Sequence, residues 1–169
     1  IKKNLKLIAK ACYITELTES VLSENQPNTK LFDLLVSSLQ LIETHKKELL
    51  LIHCFEFQLL ALSGFKLVFL ECVNCEKEIS KNSHVFSPSQ GGILCPDCKK
   101  LENTKLINLN IITLKILRNM SRENFSLLIE LSPPKNVLQE LSRIFDESIR
   151  ELLGVNLNSQ KFYQTIIKH

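Results

Sequence analysis

The residues of this chain best placed to do chemistry are Cys72, Cys75, Cys95 and Cys98, two C-x-x-C pairs separated by nineteen residues. Two pairs at that spacing point to a structural zinc site. Two residues between the sulfurs of a pair let the chain turn back, so that both face one ion. Four thiolates suit a tetrahedral, coordinatively closed Zn²⁺, which keeps no open position to activate water. The same cysteines could instead form two disulfides or a redox dithiol. A redox pair belongs beside a βαβ pattern, and the sequence has none. His84 falls between the pairs, but four thiolates already fill the site.

The elements that must hold these cysteines surround them. Val85-Phe86-Ser87 and Ile93-Leu94 flank the turn residues Pro88-Ser89-Gln90-Gly91-Gly92. That is the pattern of a hairpin able to return Cys95 to Cys72. On either side the apolar spacing is helical. Residues 4–24 carry Leu5, Ile8, Cys12 and Leu7, Ala11, Ile14, Val21 on adjoining rows. The stretch from Glu24 to Pro27 breaks that helix, and Asn28 caps a second over 29–43. Residues 47–63 are apolar nearly all round, as expected of a helix inside a bundle. Gly64 suits its C′ position, with Phe65 folded back on the last turn. His53 and Cys54 read as core residues there, because neither has a partner four residues on.

After the cysteines, a helix is expected from near Asn110, then a short segment capped by Ser121 with Phe125, Leu128 and Ile129. Pro133-Pro134 breaks the chain before a helix over 134–153, which Gly154 ends, and Ser159 caps a final turn. The fold expected is mainly α, a helical bundle with an inserted four-cysteine, zinc-binding β-hairpin module. Residues 1–65 and 106–169 make the two parts of the bundle, and residues 66–105 make the module.

Composition narrows the function classes. The 169 residues are 44% hydrophobic and 23% charged, a globular balance. The net charge of +3 permits contact with nucleic acid without demanding it. Six cysteines without a signal peptide fit a reducing cytosol, with Cys12 and Cys54 as plain thiols. The apolar run from Leu49 to Leu62 is too short, and too interrupted by His53, Glu56 and Gln58, to span a bilayer. The chain begins with Ile1 rather than Met, so a preceding segment is expected. Lys2, Lys6 and Lys10 are four apart with Lys3 beside them. They read either as a solvated helix end or as a phosphate-contacting patch. The sequence holds none of G-x-x-x-x-G-K-[ST], G-x-G-x-x-G, H-E-x-x-H or G-x-S-x-G, and an enzyme is not expected.

Three stretches together resemble a known family. They are Phe55-Glu56-Phe57-Gln58-Leu59-Leu60 with Gly64-Phe65, then Leu70-Glu71-Cys72-Val73-Asn74-Cys75, then Phe86-Ser87-Pro88 with Gly91-Gly92-Ile93-Leu94-Cys95. Asn28-Thr29-Lys30-Leu31-Phe32 and Ser159-Gln160-Lys161-Phe162 follow the same pattern. The chain resembles the RecO family of bacterial recombination mediators over nearly its whole length. The resemblance implies a cytoplasmic, nucleoid-associated protein that binds single- and double-stranded DNA and anneals complementary strands. It implies partnership with RecR in loading RecA onto strands coated by the single-stranded DNA-binding protein, SSB. It also implies an OB-fold ahead of the helical domain, expected to fall outside these 169 residues. An OB-fold supplies a basic groove and stacking aromatics, so weak DNA binding is expected of this chain.

The bundle is expected to dock the acidic, aromatic-ended C-terminal tail of SSB. Arg118 and Arg122, following Leu114 and Leu117, or Arg143 and Arg150, near Phe145 and Ile149 and with Glu147 four residues after Arg143, would stand at the rim of an apolar pocket. The bland alternative pairs these arginines with Glu140 and Glu147 on a solvated face. From Lys66 to Lys105 six lysines meet five acids, so the module is not strongly basic. A zinc-stabilised helical adaptor that binds only proteins is the other reading.

Overall fold

Each helix starts and stops where backbone chemistry requires. The computed structural model describes residues 4–22, 27–44, 48–79, 85–122, 128, 130–155 and 157–167. Helix α1, Leu5–Val21, is capped by the Asn4 side chain, which accepts from the amides of Lys6 and Leu7. It ends before the expected residue 24; residues 23–26 lie outside the described ones. Helix α2, Thr29–Thr44, starts with the Asn28 side chain accepting from Leu31 N at 3.1 Å. Helix α3, Glu48–Leu62, packs against both and is buried on nearly every side from Leu50 to Leu60. Its end is a Schellman turn: Gly64 has φ +84° and Phe65 N donates to Leu60 O at 2.9 Å.

Strands β1, Val85–Ser87, and β2, Gly92–Leu94, form the expected hairpin, in register Val85 with Leu94 and Ser87 with Gly92. A third strand, β3 at Ile107–Asn108, pairs with the far edge of β1. The short helix α4, Pro96–Lys99, follows β2. Helix α5, Ile111–Ser121, begins under the Asn110 cap. Ser121 is therefore the last residue of α5 rather than a cap, and its hydroxyl donates to Leu117 O at 3.1 Å. Of the short segment expected next, Leu128 is buried, while Phe125 and Ile129 lie outside the described residues. Helix α6, Lys135–Leu153, ends at Gly154 with φ +68°. The final turn is a full helix, α7, Asn158–Ile167. Ser159 does not cap it with its side chain; its backbone amide donates to Glu16 of α1 at 2.8 Å.

The helices and the sheet share one apolar core. Phe69 sits 6.4 Å from Phe57 of α3 and 5.7 Å from Phe86 of β1. No described helix is long and apolar enough to cross a membrane.

A polar cluster is buried where α1, α3, α6 and α7 meet. The Tyr13 hydroxyl donates to Glu56 Oε1 at 2.6 Å, and His53 Nδ1 lies 2.6 Å from Glu56 Oε2. His53 Nε2 lies 3.1 Å from Ser142 Oγ, whose own hydroxyl donates to Leu138 O. Tyr163 stacks on Tyr13 with centroids 5.2 Å apart. Asp146 accepts from the amides of Gln160 and Gln164 at 2.7 and 2.9 Å, which ties α7 to α6.

Burial, then the nearby Glu56 carboxylate, pushes Asp146 up to about 6. Its folded value lies above the unfolded carboxylate value. Stability from this group is therefore full below pH ~4 and is lost as pH rises through about 6. Asp146→Asn should flatten the stability difference between pH 5 and 7.5 by an amount on the order of 1–3 kcal/mol. Urea melts of both proteins at both pH values read this; parallel pH profiles would refute it.

Candidate metal centre

The first cysteine pair sits in a miniature knuckle. Cys72 N donates to Lys77 O at 2.9 Å, Glu76 N to Cys72 O at 2.8 Å, and Ile79 N to Leu70 O at 3.5 Å. The turn closes through Glu76 at φ +59°, left-handed for a residue with a Cβ. The second pair spans the end of the hairpin and the start of a helix. Cys95 is the N-cap residue of α4, and Cys98 lies inside that helix with Lys99 N donating to Cys95 O at 2.9 Å. Gly92 allows the knuckle to close on the hairpin, since a Cβ there would stand 2.7 Å from Val73 Cβ.

This arrangement brings the sulfurs of Cys72, Cys75, Cys95 and Cys98 within 4.8 Å of one another. The Cys75 and Cys95 sulfurs are 3.7 Å apart. Tetrahedral zinc–thiolate bonds of ~2.3 Å place two sulfurs about 3.8 Å apart. Cys95 N points at Cys72 Sγ from 3.4 Å. Against the burial that raises it, that amide and those of Cys75 and Asn74 hold the Cys72 thiol down at about 6. The Asn74 side chain favours the Cys98 thiolate, but burial and the thiols of Cys95, Cys75 and Cys72 push Cys98 up to about 12. Four thiolates this close need a cation to neutralise them. The donor set could hold a soft, tetrahedral metal ion and is closed once it does. Among the described residues neither the exposed Cys12 nor the buried Cys54 belongs to this cluster of sulfurs, and burial with the nearby Glu56 pushes the Cys54 thiol up to about 12. His84 lies outside the described residues.

The cationic residues fare differently. Lys2 and Lys3 lie outside the described residues, Lys6 is exposed, and Lys10 is only 1% exposed. Lys10 shares the inner face of α1 with Tyr13, Ile14 and Leu17. The row expected from four-residue spacing therefore turns into the bundle after Lys6. Burial, then the neighbouring Lys6 charge, brings Lys10 down to about 8.

Arg118 and Arg122 line one cleft together with Leu70, Glu71, Glu76 and Glu78. Arg143 and Arg150 are exposed on α6 and do not line that cleft. Arg150 pairs with Glu147 at 2.8 Å, and Lys105 shares the same carboxylate. Glu140 accepts from Asn110 N and the Thr113 hydroxyl. Phe145 and Ile149, expected beside the arginines, are 0% and 1% exposed and belong to the core. An apolar groove does exist at Leu22, Pro27, Phe32 and Leu35, but among the described residues no arginine lines it.

Sequence reasoning missed two features. Arg118 bonds to the backbone of the knuckle, which nothing in the spacing signals. The Tyr13–Glu56–His53 cluster had one local sign, a carboxylate three residues after a histidine on an otherwise apolar helix. Ser142, His53 and Glu56 copy the connectivity of a hydrolase triad, but the Ser142 hydroxyl is committed to Leu138 O. The cluster acts as a staple between helices.

The model for the family described as recombination protein O, C terminal, matches residues 2–161. The chain is 33% identical over 153 residues to the DNA repair protein RecO of Dehalococcoides mccartyi, an alignment that covers 90% of this chain and 60% of that protein. It is 32% identical over 168 residues to the DNA repair protein RecO of Desulforamulus reducens, covering 99% and 65% of the two chains. With that of Streptococcus pneumoniae it shares 30% over 166 residues, covering 98% and 64%. The chain thus spans about three fifths to two thirds of the length of these relatives.

Proposed function

The chain belongs to the RecO family, matching its C-terminal part, and from that premise we propose that it serves DNA repair as the helical, metal-bearing part of a recombination mediator. The observation that carries this is the family match over residues 2–161 coinciding with a folded four-cysteine centre. Zn²⁺ is the ion the site would take, held by Cys72, Cys75, Cys95 and Cys98. Its contribution is structural, because all four positions are thiolates.

The mediator reading places the protein in the bacterial cytoplasm at the nucleoid. It acts there with RecR, anneals complementary strands and helps load RecA onto SSB-coated single strands. Most of the DNA affinity belongs to an OB-fold in the length that the relatives have beyond this match. The bundle is one unit interrupted at residues 66–105 by the zinc module. The acidic SSB tail fits Arg143 and Arg150 better than Arg118 and Arg122, whose cleft carries three glutamates.

The test is a reconstituted RecA assay on SSB-coated single strands. Adding the zinc-loaded protein carrying the further length that its relatives have, together with RecR, should shorten the lag before RecA hydrolyses ATP. An unchanged lag with folded protein overturns the mediator reading.

A second reading, a zinc-stabilised adaptor that binds only proteins, draws support from the buried Lys10 and the near-neutral module. The salt dependence of single-strand binding by the protein carrying the further length of its relatives separates the two. A mediator loses affinity between 50 and 200 mM salt, with a slope of about −0.7 per neutralised phosphate, and an adaptor shows no binding to lose.

A further inference from the structure

Arg118 belongs to α5, beyond the module in sequence, yet its guanidinium reaches back to the first knuckle. Its Nε donates to Phe69 O at 3.0 Å and its Nη2 to Ile79 O at 3.4 Å. Those two carbonyls stand at the two ends of the loop that carries Cys72 and Cys75. Inside them, Glu71 and Glu78 form an antiparallel bridge and Cys72 N bonds Lys77 O. Phe69 and Ile79 are thus the open mouth of a small ladder, and their carbonyls need donors from elsewhere. The planar fork of a guanidinium can meet two acceptors at once in fixed geometry, which a lysine ammonium cannot reproduce.

We propose that Arg118 is a positioning residue of the metal centre, closing the mouth of the first knuckle so that Cys72 and Cys75 present their sulfurs in the directions a tetrahedral ion requires. The proposal rests on the zinc reading above. Groups outside the ligand shell orient the ligands, and losing one typically costs about 10–100-fold in metal affinity. Here the bonded partner is the backbone on both sides of the ligand pair, so a free mouth lets both sulfurs swing. The same bonds make the site sense α5, because any shift of that helix pulls on the knuckle.

The experiment uses the whole chain loaded with zinc and, separately, with cobalt(II). Zinc release to the chromophoric chelator 4-(2-pyridylazo)resorcinol should be on the order of 10–100-fold faster in Arg118→Ala than in the unmodified protein. Arg118→Lys should stay within a few-fold of the Ala variant, since the charge alone does not span both carbonyls. Arg122→Ala, which alters the same cleft four residues on, should release zinc at the unmodified rate. The thiolate-to-cobalt charge-transfer band should shift or weaken in both Arg118 variants while the helical circular dichroism is retained.

Equal release rates and identical cobalt spectra in folded Arg118 variants would overturn the proposal. If the Ala variant loses its helical signal, the Lys variant decides by the same two readings. An unmodified protein that takes up neither zinc nor cobalt overturns the zinc reading, and this proposal with it.

Discussion

Removing the metal should melt the stretch from Phe69 to Asn108 while α1, α2 and α3 keep their amide protection. Structural zinc contributes ~10–16 kcal/mol in small modules, as much as the whole stability of a typical domain. The knuckle has little else to hold it: Glu71 and Asn74 to Glu78 are exposed, and its backbone bonds close one short ladder. The hairpin is better anchored, because Val85, Phe86, Ile93 and Leu94 are at most 1% exposed and pack into the common core. Melting should therefore begin at residues 70–79 and reach β1 and β2 later. The four ligands should also differ. Cys72 is fully buried and receives the Cys95 amide, so Cys72→Ser should disrupt the module more than Cys75→Ser at the exposed edge. Hydrogen exchange read by mass spectrometry, with zinc measured on the same samples, checks both the order and the stoichiometry of about one ion per chain. A metal-free protein with native protection across the knuckle and four reactive thiols would show that no ion is needed.

The contrast between what the sequence revealed and what it concealed follows from the range of each interaction. Helices announce themselves because their signals are local. Asn4, Asn28 and Asn110 cap the turns they precede, and Gly64 and Gly154 take left-handed backbone at the ends they follow. The two cysteine pairs are legible for the same reason, since each pair needs only a tight turn. Lys10 was misread as a surface residue because four-residue spacing defines a row without saying where that row turns inward. Only packing against the rest of the bundle decides that a lysine between Ala9 and Tyr13 is covered. The role of Arg118 was hidden for the same reason. Arg118 answers two carbonyls thirty-nine and forty-nine residues away, and no pattern in its own helix encodes that demand. Phe145 and Ile149 looked like pocket walls beside Arg143 and Arg150, but an apolar residue flanking an exposed cation more often belongs to the core. The alternative, arginines paired with glutamates on a solvated face, holds for Arg150 and Glu147, while Lys105, which the fold brings from the module, takes the place on that carboxylate where Arg143 was expected.

Replacing Glu56 by alanine should destabilise the bundle by about 3–5 kcal/mol, because it removes the shared partner of a buried polar cluster and leaves the others in place. Glu56 is 3% exposed, and its two oxygens take the Tyr13 hydroxyl and His53 Nδ1 at 2.6 Å each. His53 is equally enclosed, stacked on Phe145 with centroids 5.2 Å apart. Without the carboxylate, the tyrosine hydroxyl and the imidazole nitrogen keep their desolvation cost and lose their partner. For a chain of this size the loss corresponds to a fall in melting temperature of roughly 6–20 °C. The claim concerns an unpaired buried group, so the double variant is the sharper measurement. Glu56→Met combined with His53→Leu removes both members and restores apolar contact, and it should recover most of the stability lost in Glu56→Ala. Tyr13→Phe added to that pair should then recover a further part, since it removes a buried hydroxyl left without its acceptor. Thermal melts of the zinc-loaded proteins, which keep the metal centre constant, give all of these values. A Glu56→Ala protein within about 1 kcal/mol of the original, or a double variant no better than the single one, would show that packing of α3 rather than its buried carboxylate holds the four helices together.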